Sequence, residues 1–291
     1  MFVRCQKTNP QWQRICRQIL MIITLSCSLY ISSAAAQDAK LPDIVNLPKE
    51  QKYQYTNYAV AAGVLTYGII KWDYFQNRLE THNENWFSRN TDSGGADKLG
   101  HLYTSYLTAQ LANELYLDWG FDAGEAAKNS VITSFILSTA MELGDASSPK
   151  YGFSYEDFIS NSVGQILSYY MSTNKRFASL VDLRLEYYPK NGVGSDIVTD
   201  YESMKYIVAL KLAGFDELKD TPLRFLELQI GYYTRHYEDN PSRINHERSL
   251  YFGVGVNVAQ ILNELDYKKT ARVFNYLQVP YTYVEAVKVG D

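Results

Sequence analysis

Beyond residue 36 the chain has no cysteine; Cys5, Cys16 and Cys27 all lie earlier. That excludes a disulfide, a thiolate zinc site and a cysteine nucleophile from the rest of the chain. Phosphate-cradling and dinucleotide-binding glycine motifs are missing, and so is a His-Glu-x-x-His zinc motif. No stretch after residue 36 reaches 18 uncharged apolar residues, so hydropathy alone gives no membrane-spanning helix there. Basic residues are in deficit. Residues 1–36 hold Arg4, Lys7, Arg14 and Arg17 and no acid, so their removal takes the net charge from −4 to −8. Such an acidic chain is a poor candidate for nucleic acid or for an anionic membrane surface.

Residues 1–36 read as an export signal. A basic start is followed by the apolar run Ile19–Ile31 and the small residues Ser32–Ala36, which end in an Ala34-x-Ala36 site before Gln37. Cleavage there leaves 255 residues, enough for one large or two small domains. Two alternatives stand beside cleavage. Ile19–Ala36 is 18 residues, close to the length of an uncleaved anchor. Cys27 follows Thr24-Leu25-Ser26, which is the setting of a lipoprotein cysteine except that the leucine stands two residues ahead instead of three.

What the chain has in excess is tyrosine: 25 residues, 24 of them after residue 36. An apolar ring with a polar tip suits interfaces, including membrane–water boundaries. Gln37–Gln54, with Pro42 and Pro48, reads as a loose arm. Tyr55–Tyr74 has an apolar middle, Ala59–Ile70, with aromatic ends, which fits an interfacial helix and a core helix equally. Three more helices are expected: Ala96–Leu117 after Gly94-Gly95, Ala123–Leu143 ending at Gly144, and Ser154–Met171 with a capping spacing from Ser154 to Asp157. Period-two alternation in Leu183–Tyr188, Leu223–Tyr237 and Tyr251–Val258 predicts strands, while Tyr201–Leu212 also permits a helix. Three or so strands are too few for a membrane barrel. The expected fold is α+β and mainly helical: a four-helix membrane-associated bundle over 55–175, then a small antiparallel β-rich region over 176–291.

Polar groups interrupt the apolar helices. Asp97 and His101 are four residues apart and so share a helix face, which Ser105 extends; Asp157 and Asn161 repeat that spacing, with Gln165 beyond. Glu142 and Asp145 follow the apolar run Ile132–Met141. If these faces meet, Asp97, His101, Glu142, Asp145, Asp157 and Asn161 form one candidate site. Buried carboxylates need compensation. A divalent metal such as Zn, Mn or Mg, held by Asp97, His101, Glu142 and Asp157, would supply it, as would shared protons or Lys98. The same set suits general acid–base work. The plain alternatives are a cap for Asp157, a favourable first-turn charge for Asp97, solvated Glu142 and Asp145, and a hydrogen-bonded core His101. His82 reads as a loop residue. His236 and His246, near Glu238, Asp239 and Glu247, read as solvated loop residues more than as a metal pair. Ser93-Gly94-Gly95 has the form of an anion-cradling turn, but Asp92 and Asp97 flank it. Trp86-Phe87 reads as a packing anchor.

Glu84-Asn-Trp86-Phe87, Gly94-Gly95-Ala96-Asp97-Lys98-Leu99-Gly100-His101, Met141-Glu142-Leu143-Gly144-Asp145 and Gly152-Phe153-Ser154-Tyr155-Glu156-Asp157-Phe158 with Asn161 and Gly164 together resemble the YfiM-like family of periplasmic lipoproteins of unknown function. The resemblance extends through Asp182-Leu-Arg184, Leu226-Glu227 and Gly231-Tyr232. Over Asp97–Gly164 the pattern is also similar to VanZ-like membrane proteins. The first resemblance implies an exported envelope protein and no particular reaction. Three functions follow as expectations. The leading one is a membrane-associated structural or lipid-binding role with a membrane lipid or envelope component as partner. The second is a metal- or acid–base-dependent hydrolase or transferase on a lipid-linked or cell-wall substrate. The third is a protein-binding module that uses its tyrosine-rich sheet.

Overall fold

The computed structural model describes residues 46–189, 197–237 and 245–290. The expected signal, residues 37–45 of the expected arm, and Glu238 and Asp239 lie outside them. The fold is α+β, with 51% helix and one five-stranded antiparallel sheet. It divides into two compact units, Met1–His82 with Thr139–Phe153 and Asn83–Ser138 with Ser154–Asp291.

In the first unit, helix α1 spans Lys49–Lys71. It starts ahead of the expected Tyr55, so Lys49–Gln54 are helical and not part of an arm. Only Gly68 of α1 is buried, and Tyr58 and Ile70 are open to solvent. Trp72, Tyr74 and Met141 make a small core, with Val64, Leu65 and Tyr67 packed on it. The chain after α1 is laced to residues 146–153: Asn77 and Glu80 donate to Ser147 and Ala146 carbonyls, and His82 donates to the Phe153 carbonyl.

The second unit holds helix α2 (Ala96–Asp118), the first two turns and middle of α3 (Ala123–Asp145), and α4 (Tyr155–Thr173). All three fall within two residues of their expected bounds. Gly164 sets the approach of α4 to α2: a Cβ there would lie 2.1 Å from the Leu102 carbonyl oxygen. Between these helices the contacts are polar. Ser134 Oγ donates to the Ser105 carbonyl, Gln110 donates to Ser168, and Gln165 donates to Ser138 Oγ. Short helix α5 (Lys175–Leu180) leads into the sheet.

The sheet is a simple meander: β1 (Val181–Tyr187), β2 (Met204–Lys211), β3 (Leu226–Arg235), β4 (Glu247–Val256) and β5 (Tyr283–Gly290), each antiparallel to the next. Two features are left open or unannounced by the sequence. Tyr201–Leu212 is mostly strand, because Ile207 and Ala209 must alternate inward between β1 and β3. The fifth strand lacks a long apolar–polar run, and its partner β4 orders it. Helices α6 (Val258–Glu264) and α7 (Lys268–Val273) connect β4 to β5.

The sheet's two faces differ in burial and in polarity. One face carries Asp182, Arg184, Glu227, Gln229, Ser249 and Tyr251, all buried. Gly231 makes room there, since a Cβ would meet the Tyr251 ring at 2.2 Å. The other face is apolar. On β1 and β2 it packs into a core of Tyr103, Tyr106, Met171, Leu183, Met204 and Tyr206. On β3 to β5 the same face exposes Leu228, Ile230, Phe252, Val254, Val284 and Val287. The sheet tyrosines Tyr206, Tyr233 and Tyr251 are buried.

Candidate functional site

Two helix starts build the polar centre. Gly95, at φ +88, precedes α2 and leaves Asp97 and Lys98 in its first turn. Ser154 caps α4 by accepting from the Asp157 N–H at 3.2 Å, which is the arrangement the Ser154-to-Asp157 spacing predicts. Asp157 therefore does not cap its own helix. Its side chain turns to Lys98, with Oδ1 2.8 Å from Nζ. Asp97 Oδ2 lies 2.6 Å from the same Nζ, and Glu84 Oε2 also accepts from it. Lys98 is 2% exposed, so a buried ammonium donates to Glu84 and Asp97 and stands as an ion pair beside Asp157. Ser93 Oγ donates to the other Asp97 oxygen. That contact fills the Ser93-Gly94-Gly95 turn from inside and removes it as an anion cradle. His101, one turn along α2 and 14% exposed, has Nε2 3.7 Å from Asp157 Oδ1. Asn161 Oδ1 accepts from Ser105 Oγ at 2.8 Å, tying α4 to α2.

The charges are unequal, three acids against one base, and the titration of the cluster reflects it. Burial and the neighbouring Asp157 charge push the Glu84 carboxyl up to about 8, against the pull of Lys98. Burial also works to raise Asp97, but the Lys98 ammonium and the Ser93 hydroxyl hold it below its ordinary value. Burial works to lower Lys98, and Asp97, Asp157 and Glu84 together raise it. Tyr201, packed against Gly100, is pushed far up by burial and then by the Asp97 charge.

Single oxygens of Glu84, Asp97 and Asp157 lie within 4.8 Å of one another, a spacing that could surround a cation. Lys98 Nζ already sits in bonding reach of all three. A divalent ion among these oxygens would have to displace a buried ammonium, so this donor set does not fit a metal with Lys98 in place.

Of the six residues expected to meet, Asp97, His101, Asp157 and Asn161 lie along the facing sides of α2 and α4 in the second unit. Glu142 and Asp145 lie on the last turn of α3, in the first unit. Glu142 is buried there, and Tyr74 lies near both acids: burial and then the Asp145 charge push the Tyr74 hydroxyl up. Glu84 and Tyr201 join the centre from loop and turn, without a periodic signal. His246 is not solvated as expected; it is buried, stacks on Tyr237 at 4.0 Å and approaches the Arg89 carbonyl. Phe87 and Trp86 pack edge-on against Tyr232 and Tyr155, as an anchor would.

A second buried polar centre lies inside the sheet. Arg184 donates to Asp182 at 2.6 Å, to Glu227 at 2.7 Å and to Gln278 at 3.2 Å, and Gln229 donates to Glu227. Burial pushes the Glu227 carboxyl up, against the Arg184 charge. Nearby, the Lys205 ammonium lies over the rings of Tyr233, Tyr251 and Tyr283 and bonds Glu285 at 2.9 Å. Alternation in β1 and β3 announces these residues but cannot say that they face inward.

Residues 83–173 match the model of a family described as predicted periplasmic lipoprotein, DUF2279. The matched segment contains Glu84, Asp97, Lys98, His101, Asp157 and Asn161, and it supports an exported, periplasmic location. No curated protein and no solved structure matches the chain.

Proposed function

We propose that the protein is a membrane-associated component of the cell envelope with a structural or lipid-binding role. The observation that carries this reading is the inversion on α4. Its buried stripe is Glu156, Asp157, Ser160, Asn161, Gln165 and Ser168, and its exposed stripe is Tyr155, Phe158, Ile159, Val163, Ile166 and Tyr170. In water the stable choice is the opposite one. Against lipid, apolar side chains are well solvated, and small and polar residues pack helices together. The β3–β5 face and exposed Ile132 and Phe135 of α3 follow the same rule. The likeness of Asp97-Lys98, His101, Asp157 and Asn161 to VanZ-like membrane proteins points the same way. No helix among the described residues is long and apolar enough to cross a membrane. The proposal is therefore association through apolar faces, not a helical span.

The test is fractionation of the full chain from a bacterial host, followed by a carbonate wash. Retention in the membrane pellet is expected. Ile166→Lys combined with Ile230→Lys should release it, since a lysine on a lipid-contacting face costs about 2–4 kcal/mol at depth and about 0–1 near the interface. Release of the unaltered chain would overturn the reading.

The alternative, an acid–base enzyme on a lipid-linked or cell-wall substrate, draws on one observation: Glu84, held near 8, and the partly open His101 both flank Asp157. His101 would serve as base and Glu84 as acid. Turnover of a lipid-linked cell-wall precursor by the purified chain, lost in His101→Gln, would favour it over the structural role.

A further inference from the structure

Outside the polar centre, the exposed side of α2 and helix α7 border an open groove of about 440 Å³. Leu107 and Leu111 of α2 form one wall, and Val273 and Leu277 form the other. Leu111 is 51% exposed and Val273 47%, so the walls are apolar and open to their surroundings. Lys269 and Arg272, three residues apart on α7 and therefore on one face of it, stand at the rim. Neither has a carboxylate partner among the described residues. The acid in the lining, Glu114, is engaged: its Oε1 accepts from the Tyr276 hydroxyl at 3.0 Å. The volume falls within the range of about 300–1,000 Å³ common for small-molecule sites.

We propose that this groove holds one glycerophospholipid, with an acyl chain along Leu107, Leu111, Val273 and Leu277 and the phosphate on Lys269 and Arg272. Charge complementarity selects the occupant. Two unpaired cations beside an apolar trough fit an anion attached to a hydrocarbon chain, and a membrane supplies that combination at high local concentration. A soluble apolar ligand leaves the cations unused, and a soluble anion leaves the trough empty. The inference rests on the membrane-association reading and adds a specific site to it. It predicts that the bound lipid is recognised by its phosphate, so the rest of the headgroup is secondary.

The experiment uses the full chain in mild detergent and native mass spectrometry, with phosphatidylethanolamine and diacylglycerol of identical acyl chains as probes. One phosphatidylethanolamine should be retained per chain, well above diacylglycerol. A cation near a lipid phosphate contributes on the order of five-fold in binding, so Lys269→Gln with Arg272→Gln should lose most of that preference. Both sites are exposed, so the fold should tolerate the changes. Leu111→Trp, also at an exposed position, should fill the trough and abolish retention of both lipids. Equal retention of the two lipids by the unaltered chain, or unchanged retention in both variants, would overturn the proposal. Flotation of the same chain with phosphatidylcholine vesicles separates the two claims. Flotation without selective retention rejects the groove alone, whereas failure to float rejects the membrane reading and the groove with it.

Discussion

Lys98→Met tests the polar centre most directly. Methionine matches the lysine stem in length and removes the ammonium, with both its charge and its hydrogen-bond donors. In the native chain the ammonium donates to Glu84 and Asp97 and pairs with the Asp157 charge at 2.8 Å. Without it these acids face one another with oxygens within 4.8 Å. At an effective dielectric of about 20, two ionised carboxylates at that distance repel by about 3.5 kcal/mol. Glu84 is held up to about 8, so at neutral pH it is largely protonated and one ionised pair, Asp97 with Asp157, carries the repulsion. The expected destabilisation is therefore about 3–5 kcal/mol, in line with breaking a buried pair by removing one partner. That is a large share of the roughly 5–15 kcal/mol of a typical domain. The variant's acids would have raised pKa values, so their cost grows as pH rises and fades as they protonate. Thermal unfolding of the full chain in mild detergent, measured from pH 5 to 8, should show a gap between native and variant that narrows on acidification. Adding Asp157→Asn to Lys98→Met should restore part of the loss, giving a coupling above about 0.5 kcal/mol. A gap below about 1 kcal/mol that does not change with pH would refute the reasoning and leave these acids as a solvated face.

Two further outcomes follow from the same geometry. The folded chain keeps a proton on Glu84 up to about 8, whereas the unfolded chain releases it near 4.5, so this group makes stability fall as pH rises between those values; Glu84→Gln should flatten the Tm profile over that window, and an unchanged slope would contradict the assignment. Asp97, held low, acts in the opposite sense, with its contribution present above its ordinary value and lost on acidification. Gly164→Leu should lower the Tm by the equivalent of about 1–3 kcal/mol or more, because a Cβ meets the Leu102 carbonyl at 2.1 Å. Gly63→Ala on α1, where nothing lies within 4 Å, should be neutral or stabilising by up to about 1 kcal/mol.

Helices were the legible part of this sequence because their period is local. Ala96, Ala123 and Tyr155 start where glycine, loop and serine signals say they should. Half of the centre was legible for the same reason: the spacings Asp97–His101 and Asp157–Asn161 each stack two groups on one helix face. Glu84 was not, because a loop carries it to Lys98 and no period connects residues 14 apart. The fifth strand is not announced because a register shift opposite Phe252 and Gly253 breaks its alternation, leaving Val284 and Val287 three residues apart on one face.

The polarity of the faces was illegible for a deeper reason. Exchanging the inner and outer faces of a strand leaves the period at two, and exchanging the faces of a helix leaves it at 3.6. Arg184 and Glu227 therefore read as outward until their ion pair, buried at 2.7 Å, is seen. One local clue does separate the two orientations. The polar stripe of α4 is also its small stripe, with Ser160, Gly164 and Ser168 at four-residue steps, and Ser130, Ser134 and Ser138 repeat that step on α3. A solvated stripe has no need of small residues, because water fits around lysine and glutamate equally well. A stripe that touches another backbone does need them, as Gly164 against Leu102 illustrates. Size and polarity together, rather than period, therefore indicate which side of these helices is inside, and they leave Phe158, Ile159, Val163 and Ile166 to face the surroundings.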